Sequence, residues 1–126
     1  MSFALLSVEV VTLIHDEVLN PGELPGPARD KSLEATLARV ENRLAYGMIG
    51  DAFDLAATYA VVIARGHCFN DGNKRTAFRS MQIALRLNGI APDFPAIETG
   101  DQIIAAAQGL TDEAGLAEWL RLRASA

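Results

Sequence analysis

Apolar and polar residues recur with a helical period along most of the 126-residue chain. Ser7 is placed to cap a first helix that carries Val10, Leu13, Ile14 and Val18 on one face. Asn20-Pro21-Gly22 ends it. Pro21 to Arg29 holds three prolines and two glycines, which predicts a loop. It exceeds the usual connection of roughly 4–6 residues, and longer loops more often carry function. A second helix is expected from about Asp30 to Ala45, with Leu33, Leu37, Val40 and Leu44 on one stripe. Asp51 can cap a third, with Asp54 in its first turn. From Leu55 to Ala64 that helix is apolar nearly all round, which marks a central, buried element. The fourth helix is expected from about Asn73 to Leu87. Its apolar face uses Ala77, Phe78, Met81, Ala84 and Leu85, while Arg75, Arg79, Gln82 and Arg86 share another face. Asn88-Gly89 closes it, and residues 90–98 form a Pro-containing loop. Thr99 with Gln102 reads as a capping box for a fifth helix. Thr111, followed by Asp112 and Glu113, opens a sixth that carries Leu116, Trp119 and Leu120. No repeat, linker or low-complexity tract appears. The expected fold is all-α: a compact single-domain helical bundle of about six helices over residues 1–126.

Composition agrees with that pattern and narrows the function. Half of the residues are hydrophobic, enough for a real core, and aromatics are few. The net charge is −5 and the sequence pI about 4.9. An acidic chain is a poor sequence-independent nucleic-acid binder, because such binding depends on neutralising phosphates. Lys74, Arg75 and Arg79 form a local basic exception. The single Cys68 excludes an internal disulfide, and no zinc-type spacing exists. No secretory signal is present. No apolar run approaches the roughly 20 residues needed to span a bilayer. A soluble cytoplasmic protein is the expectation.

The segment His67-Cys68-Phe69-Asn70-Asp71-Gly72-Asn73-Lys74-Arg75 departs from packing logic. It connects the two most apolar helices and concentrates groups of different chemistry. His67 can move protons near neutral pH. Asp71 can hold a hard divalent cation. Gly72-Asn73 opens a helix whose free N–H groups and dipole suit an anion. Lys74 and Arg75 add charge for phosphate oxygens, and Arg79 stands one turn further on. Phe69 is the expected inward anchor, and Cys68 a small packing residue. Taken singly, each has a structural explanation: a helix-end histidine, an Asp cap, turn chemistry, a solvated cationic face. Taken together in one nine-residue window, they favour a site.

The window resembles the motif of the Fic/Doc family, and specifically its Doc (death-on-curing) branch. The Fic pattern is His-Pro-Phe-x-(Asp/Glu)-Gly-Asn-Gly-Arg-x-x-Arg. Cys68 stands in place of the Pro and Lys74 in place of the second Gly, and Lys there marks Doc toxins. The closing Arg falls on Phe78 and is absent; Arg79 follows about 100° round the helix. The Gly26-Pro27-Ala28-Arg29-Asp30 loop, the Leu33–Arg39 helix start and the Ala64-Arg65-Gly66 lead-in are similar as well.

The resemblance implies the Fic/Doc fold and an ATP- and Mg²⁺-dependent enzyme. Fic proteins usually transfer AMP to a protein hydroxyl. Doc toxins transfer the γ-phosphoryl group, acting on elongation factor Tu and stalling translation. Carried over, His67 is the general base and Asp71 the Mg²⁺ ligand. Gly72 and Asn73 form the anion nest, and Lys74 and Arg75 hold phosphate. Arg79 is assigned to phosphate by helical spacing alone. The family's target-docking flap falls on Leu24–Asp30. Many Fic proteins also carry an inhibitory (Ser/Thr)-x-x-x-Glu-(Gly/Asn) helix. Here only Glu41-Asn42 matches its end, with Leu37 four positions earlier. A separate Phd-type antitoxin is therefore the expected partner. The alternatives are Fic-type AMP transfer and an inactive Fic-like interaction module.

Overall fold

The computed structural model describes residues 2–125. It holds six helices: α1 (Val8–Val18), α2 (Leu33–Ala45), α3 (Ala52–Gly66), α4 (Asn73–Leu87), α5 (Ala96–Ala107) and α6 (Glu113–Ser125). Among the described residues no strand forms; one isolated antiparallel bridge joins Pro27 to Phe69. Asp51 starts α3 by accepting the Asp54 N–H at 2.8 Å. From Leu55 to Ala64 every residue of α3 is buried. A helix without a polar face can only lie inside, and α2, α4, α5 and α6 pack around it. Ala56, Ala60 and Ala64 on α3 and Ala77 and Ala84 on α4 are all fully buried. Such small side chains permit close helix approach. α1 lies outside this shell, against α4 and α2.

Four local expectations need correction. The inward face of α1 is Val11, Ile14 and His15, while Val10 and Leu13 are exposed. His15 turns inward because its ring bonds to the segment before α4, at Asp71. α2 begins at Leu33, where Ser32 accepts the Ala35 N–H at 3.0 Å. Asp30 has a positive φ of 60° and cannot be helical. α5 begins at Ala96, so Thr99 stands inside its first turn and donates its hydroxyl to the Pro95 carbonyl at 2.6 Å. At α6 it is Asp112, rather than Thr111, that accepts the Gly115 N–H, at 2.8 Å.

Tertiary polar contacts tie the periphery to this core. The Leu6 N–H donates to the buried Tyr59 hydroxyl at 2.8 Å, and Asn88 holds both backbone groups of Ala4. Arg121 of α6 pairs with Asp51 and Asp54 at the start of α3. That guanidinium, acting first through its hydrogen bond, holds the Asp51 carboxyl below its ordinary 3.8 against the opposing effect of burial.

The folded-state value of Asp51 lies below the unfolded one. The contribution is therefore complete above about pH 4 and is lost as pH falls through the depressed value. Asp51→Ala removes the cap and a partly exposed pair, and is expected to cost about 1–2 kcal/mol at pH 7. Urea unfolding of both proteins at pH 7 and pH 3 checks this: the difference should narrow at pH 3.

Candidate active site

The site grows from the way α3 ends. Gly66 is still helical, and His67 takes the left-handed position after it (φ 48°, ψ 43°). A Cβ on Gly66 would stand 3.0 Å from Thr36 Oγ1 and 3.2 Å from Cys68 Sγ. The glycine thus keeps α3 close to α2, where a larger residue would have to push Thr36 or Cys68 aside, and the left-handed residue is a histidine. That conformation costs a non-glycine roughly 1–2 kcal/mol. It leaves the His67 ring exposed, while Cys68 and Phe69 turn inward and are buried. Cys68 Sγ lies 3.1 Å from Thr36 Oγ1, as expected of a packing residue.

Asn73 closes the segment on itself. Its carboxamide accepts the Phe69 N–H at 3.0 Å and donates to the Phe69 carbonyl at 2.8 Å. Its side chain is thereby occupied, so what it offers the expected anion nest is its backbone amide. The first intrahelical bond of α4 runs from the Thr76 N–H to the Gly72 carbonyl, at 2.9 Å. The amides of Asn73, Lys74 and Arg75 therefore lie ahead of the helical ladder. Gly72 precedes them at φ 79°, with no side-chain cap. The Asp71 carboxylate does not cap α4: Oδ2 accepts the Leu24 N–H at 2.8 Å.

The α1–α2 loop is laced to this segment. The Ala28 N–H donates to the Cys68 carbonyl at 2.8 Å, and the Asn70 N–H to the Gly26 carbonyl at 3.2 Å. Asn70 Nδ2 donates to the Pro25 carbonyl at 3.0 Å, with those of Gly26 and Pro27 close by. Arg75 donates to the Val18 carbonyl and to Glu23 Oε2. That bond, followed by one from the Asn20 N–H, holds the Glu23 carboxyl below the ordinary glutamate range.

His67, Asp71, Gly72, Asn73, Lys74 and Arg75 line one cleft of about 330 Å³, with Glu23 at its edge. Arg79 is not among them. It lines an adjoining cleft of about 380 Å³ with Phe78, Gln82, Ile103 and Ile104, which Lys74 and Arg75 also border. Its Nη1 donates to Gln82 Oε1 at 3.4 Å. Phe78 fills the position where the Fic pattern has its second arginine. Among the described residues, no group of three or more His, Cys, Asp or Glu side chains is placed to hold a metal. No helix there is long and apolar enough to cross a membrane.

The sequence-based expectations missed three participants: His15, Glu23 and Asn70. His15 left a trace, because it follows Val11 by one helical turn on an otherwise apolar side. Glu23 and Asn70 sit in irregular segments where no periodicity reports a partner.

Comparison with known proteins agrees with this arrangement. A sequence model of the Fic/DOC family matches residues 5–85. The protein named Protein kinase doc, from Escherichia phage P1, is 41% identical over 117 residues, which cover 92% of each chain. With the His67–Arg75 segment held by a six-helix fold, the chain belongs to the Fic/DOC family, and its match to the phage protein sets it in the Doc branch.

Proposed function

We propose that this chain is a protein kinase of the toxin type. It transfers the γ-phosphoryl group of ATP to a hydroxyl side chain of a translation protein of the elongation factor Tu class. The observation that carries this reading is the convergence of His67, Asp71, Lys74 and Arg75 on one cleft beside three open helix amides. The name of the phage relative supports phosphotransfer. Lys74 supports a nucleotide turned the other way from that of AMP transfer, with its γ-phosphate presented to the acceptor hydroxyl. It places bulk and a point charge where a glycine would let backbone close around inner phosphates.

In this mechanism His67 takes the proton from the acceptor hydroxyl. The freed oxygen bonds to the γ-phosphorus as the bond to the β,γ-bridging oxygen breaks, and ADP leaves. The amides of Asn73, Lys74 and Arg75, with the two side-chain cations, offset charge on the transferring group. Asp71 is the residue suited to Mg²⁺. It is a hard oxygen donor in the cleft, and Mg²⁺ habitually takes one or two carboxylates plus substrate phosphates. When bound, the ion would neutralise phosphate charge. The proposed setting is the cytoplasm. The proposed partner in trans is a Phd-type antitoxin, and the apolar cleft bordered by Ile103 and Ile104 is suited to an amphipathic helix.

ATP labelled separately at the α and γ positions tests the reaction. Label from γ is expected on the acceptor protein, and label from α would overturn the kinase in favour of AMP transfer. His67→Ala is expected to lower transfer about 10²–10⁴-fold. Growth arrest by that variant equal to the parent would favour an interaction module. Lys74→Gly is expected to lose γ-transfer; unchanged transfer would refute the argument from nucleotide orientation.

Glu23 competes for Arg75 with any phosphate oxygen. Glu23→Gln is expected to free the guanidinium and tighten ATP binding severalfold. Calorimetric titration of parent and variant with ATP and Mg²⁺ measures this.

A further inference from the structure

One buried ionisable side chain has no part in the chemistry above. His15 of α1 is 1% exposed, yet its ring touches the active-site segment at three residues. It stacks on Phe69 with ring centroids 3.8 Å apart and planes 6° from parallel. Its Nε2 lies 2.7 Å from the Asp71 carbonyl oxygen. A carbonyl only accepts, so Nε2 carries the proton and the tautomer is set. A Cβ added to Gly72 would stand 3.7 Å from His15 Cδ2 and Nε2, so the ring also lies against Gly72. Nδ1 is buried without a hydrogen bond, and the nearest carboxylate oxygen, on Asp16, is 3.7 Å away.

The donor is spent on the backbone of the residue proposed to hold the metal. Asn73 holds both backbone groups of Phe69, so two polar side chains bond the main chain of this segment. Three residues after His15, the Val18 carbonyl receives Arg75. The last turn of α1 thus reaches both the carboxylate and the guanidinium residues of the cleft.

We propose that His15 is a positioning residue for phosphoryl transfer. Its imidazole holds Asp71 by the main chain, so that the carboxylate is presented to the metal at a fixed height and angle. The inference rests on the proposed function, since it presumes that Asp71 binds Mg²⁺ during transfer. Residues that orient a ligand from behind commonly change metal affinity or activity by about 10–100-fold.

The test compares His15→Phe, His15→Met and His15→Gln with the parent in γ-phosphoryl transfer over a range of Mg²⁺ concentrations. Phe keeps the stacked ring and loses the donor. Met fills the space flexibly, also without a donor, and serves if the Phe variant does not fold. Gln keeps a donor at the reach of Nε2. The donor-free variants are expected to need about tenfold more Mg²⁺ for half-maximal rate and to lose kcat, with KM for the protein acceptor unchanged. His15→Gln is expected to recover most of the Mg²⁺ response. Melting temperatures of the same variants report the structural contribution separately. If the donor-free variants melt lower but keep the parental Mg²⁺ requirement, His15 is a packing residue and the inference fails alone. If the parent itself transfers no γ-phosphoryl group, the proposed function fails and the inference with it.

Discussion

The burial of α3 is the constraint on which everything else depends. Leu55, Val61, Val62 and Ile63 are withdrawn from water together. At roughly 1.5–3 kcal/mol each, four such side chains account for about 6–12 kcal/mol. That matches the whole net stability of a small domain, about 5–15 kcal/mol. Shifting the end of α3 would return part of that surface to water. Strain of roughly 1–2 kcal/mol at His67 is outweighed and persists. The exposed imidazole and the inward Phe69 both follow from that turn.

Rigidity at one end of the segment would mean little if the other end were loose. α4 meets α3 through small buried residues, so Gly72 and its open amides are fixed relative to His67. Between them, polar side chains consume the backbone groups that a buried loop would otherwise leave unpaired. Asn73 serves Phe69, His15 serves Asp71, and Asn70 serves the neighbouring loop. The chemistry-bearing atoms are what remains after these obligations are met. They are the His67 ring, the Lys74 ammonium, part of the Asp71 carboxylate and three amides.

Much of this is legible in the sequence. The apolar run of α3, the caps at Ser7 and Asp51 and the crowding of unlike chemistry around His67 are local signals, and each survived. The failures share a cause. The apolar residues of α1 point to the wrong face because His15, a polar residue, turns inward to meet Asp71. Nothing local to a turn asparagine shows that the Asn73 carboxamide closes on Phe69, four residues back, and leaves its backbone amide for an anion. Glu23 was silent because its partner, Arg75, lies far along the chain. Contacts between irregular segments leave no period, so only the folded arrangement discloses them.

The pairing of Gly26–Ala28 with Cys68–Asn70 has one more consequence. Two main-chain bonds and the amide of Asn70 join the strip of loop at the rim to the peptide beneath the cleft. To swing outward, that strip would have to carry the His67–Arg75 segment with it. The rim is therefore a fixed threshold rather than a door. A rim held in this way meets any partner with its shape already set, and differences in fit between partners would then show chiefly in how long each stays.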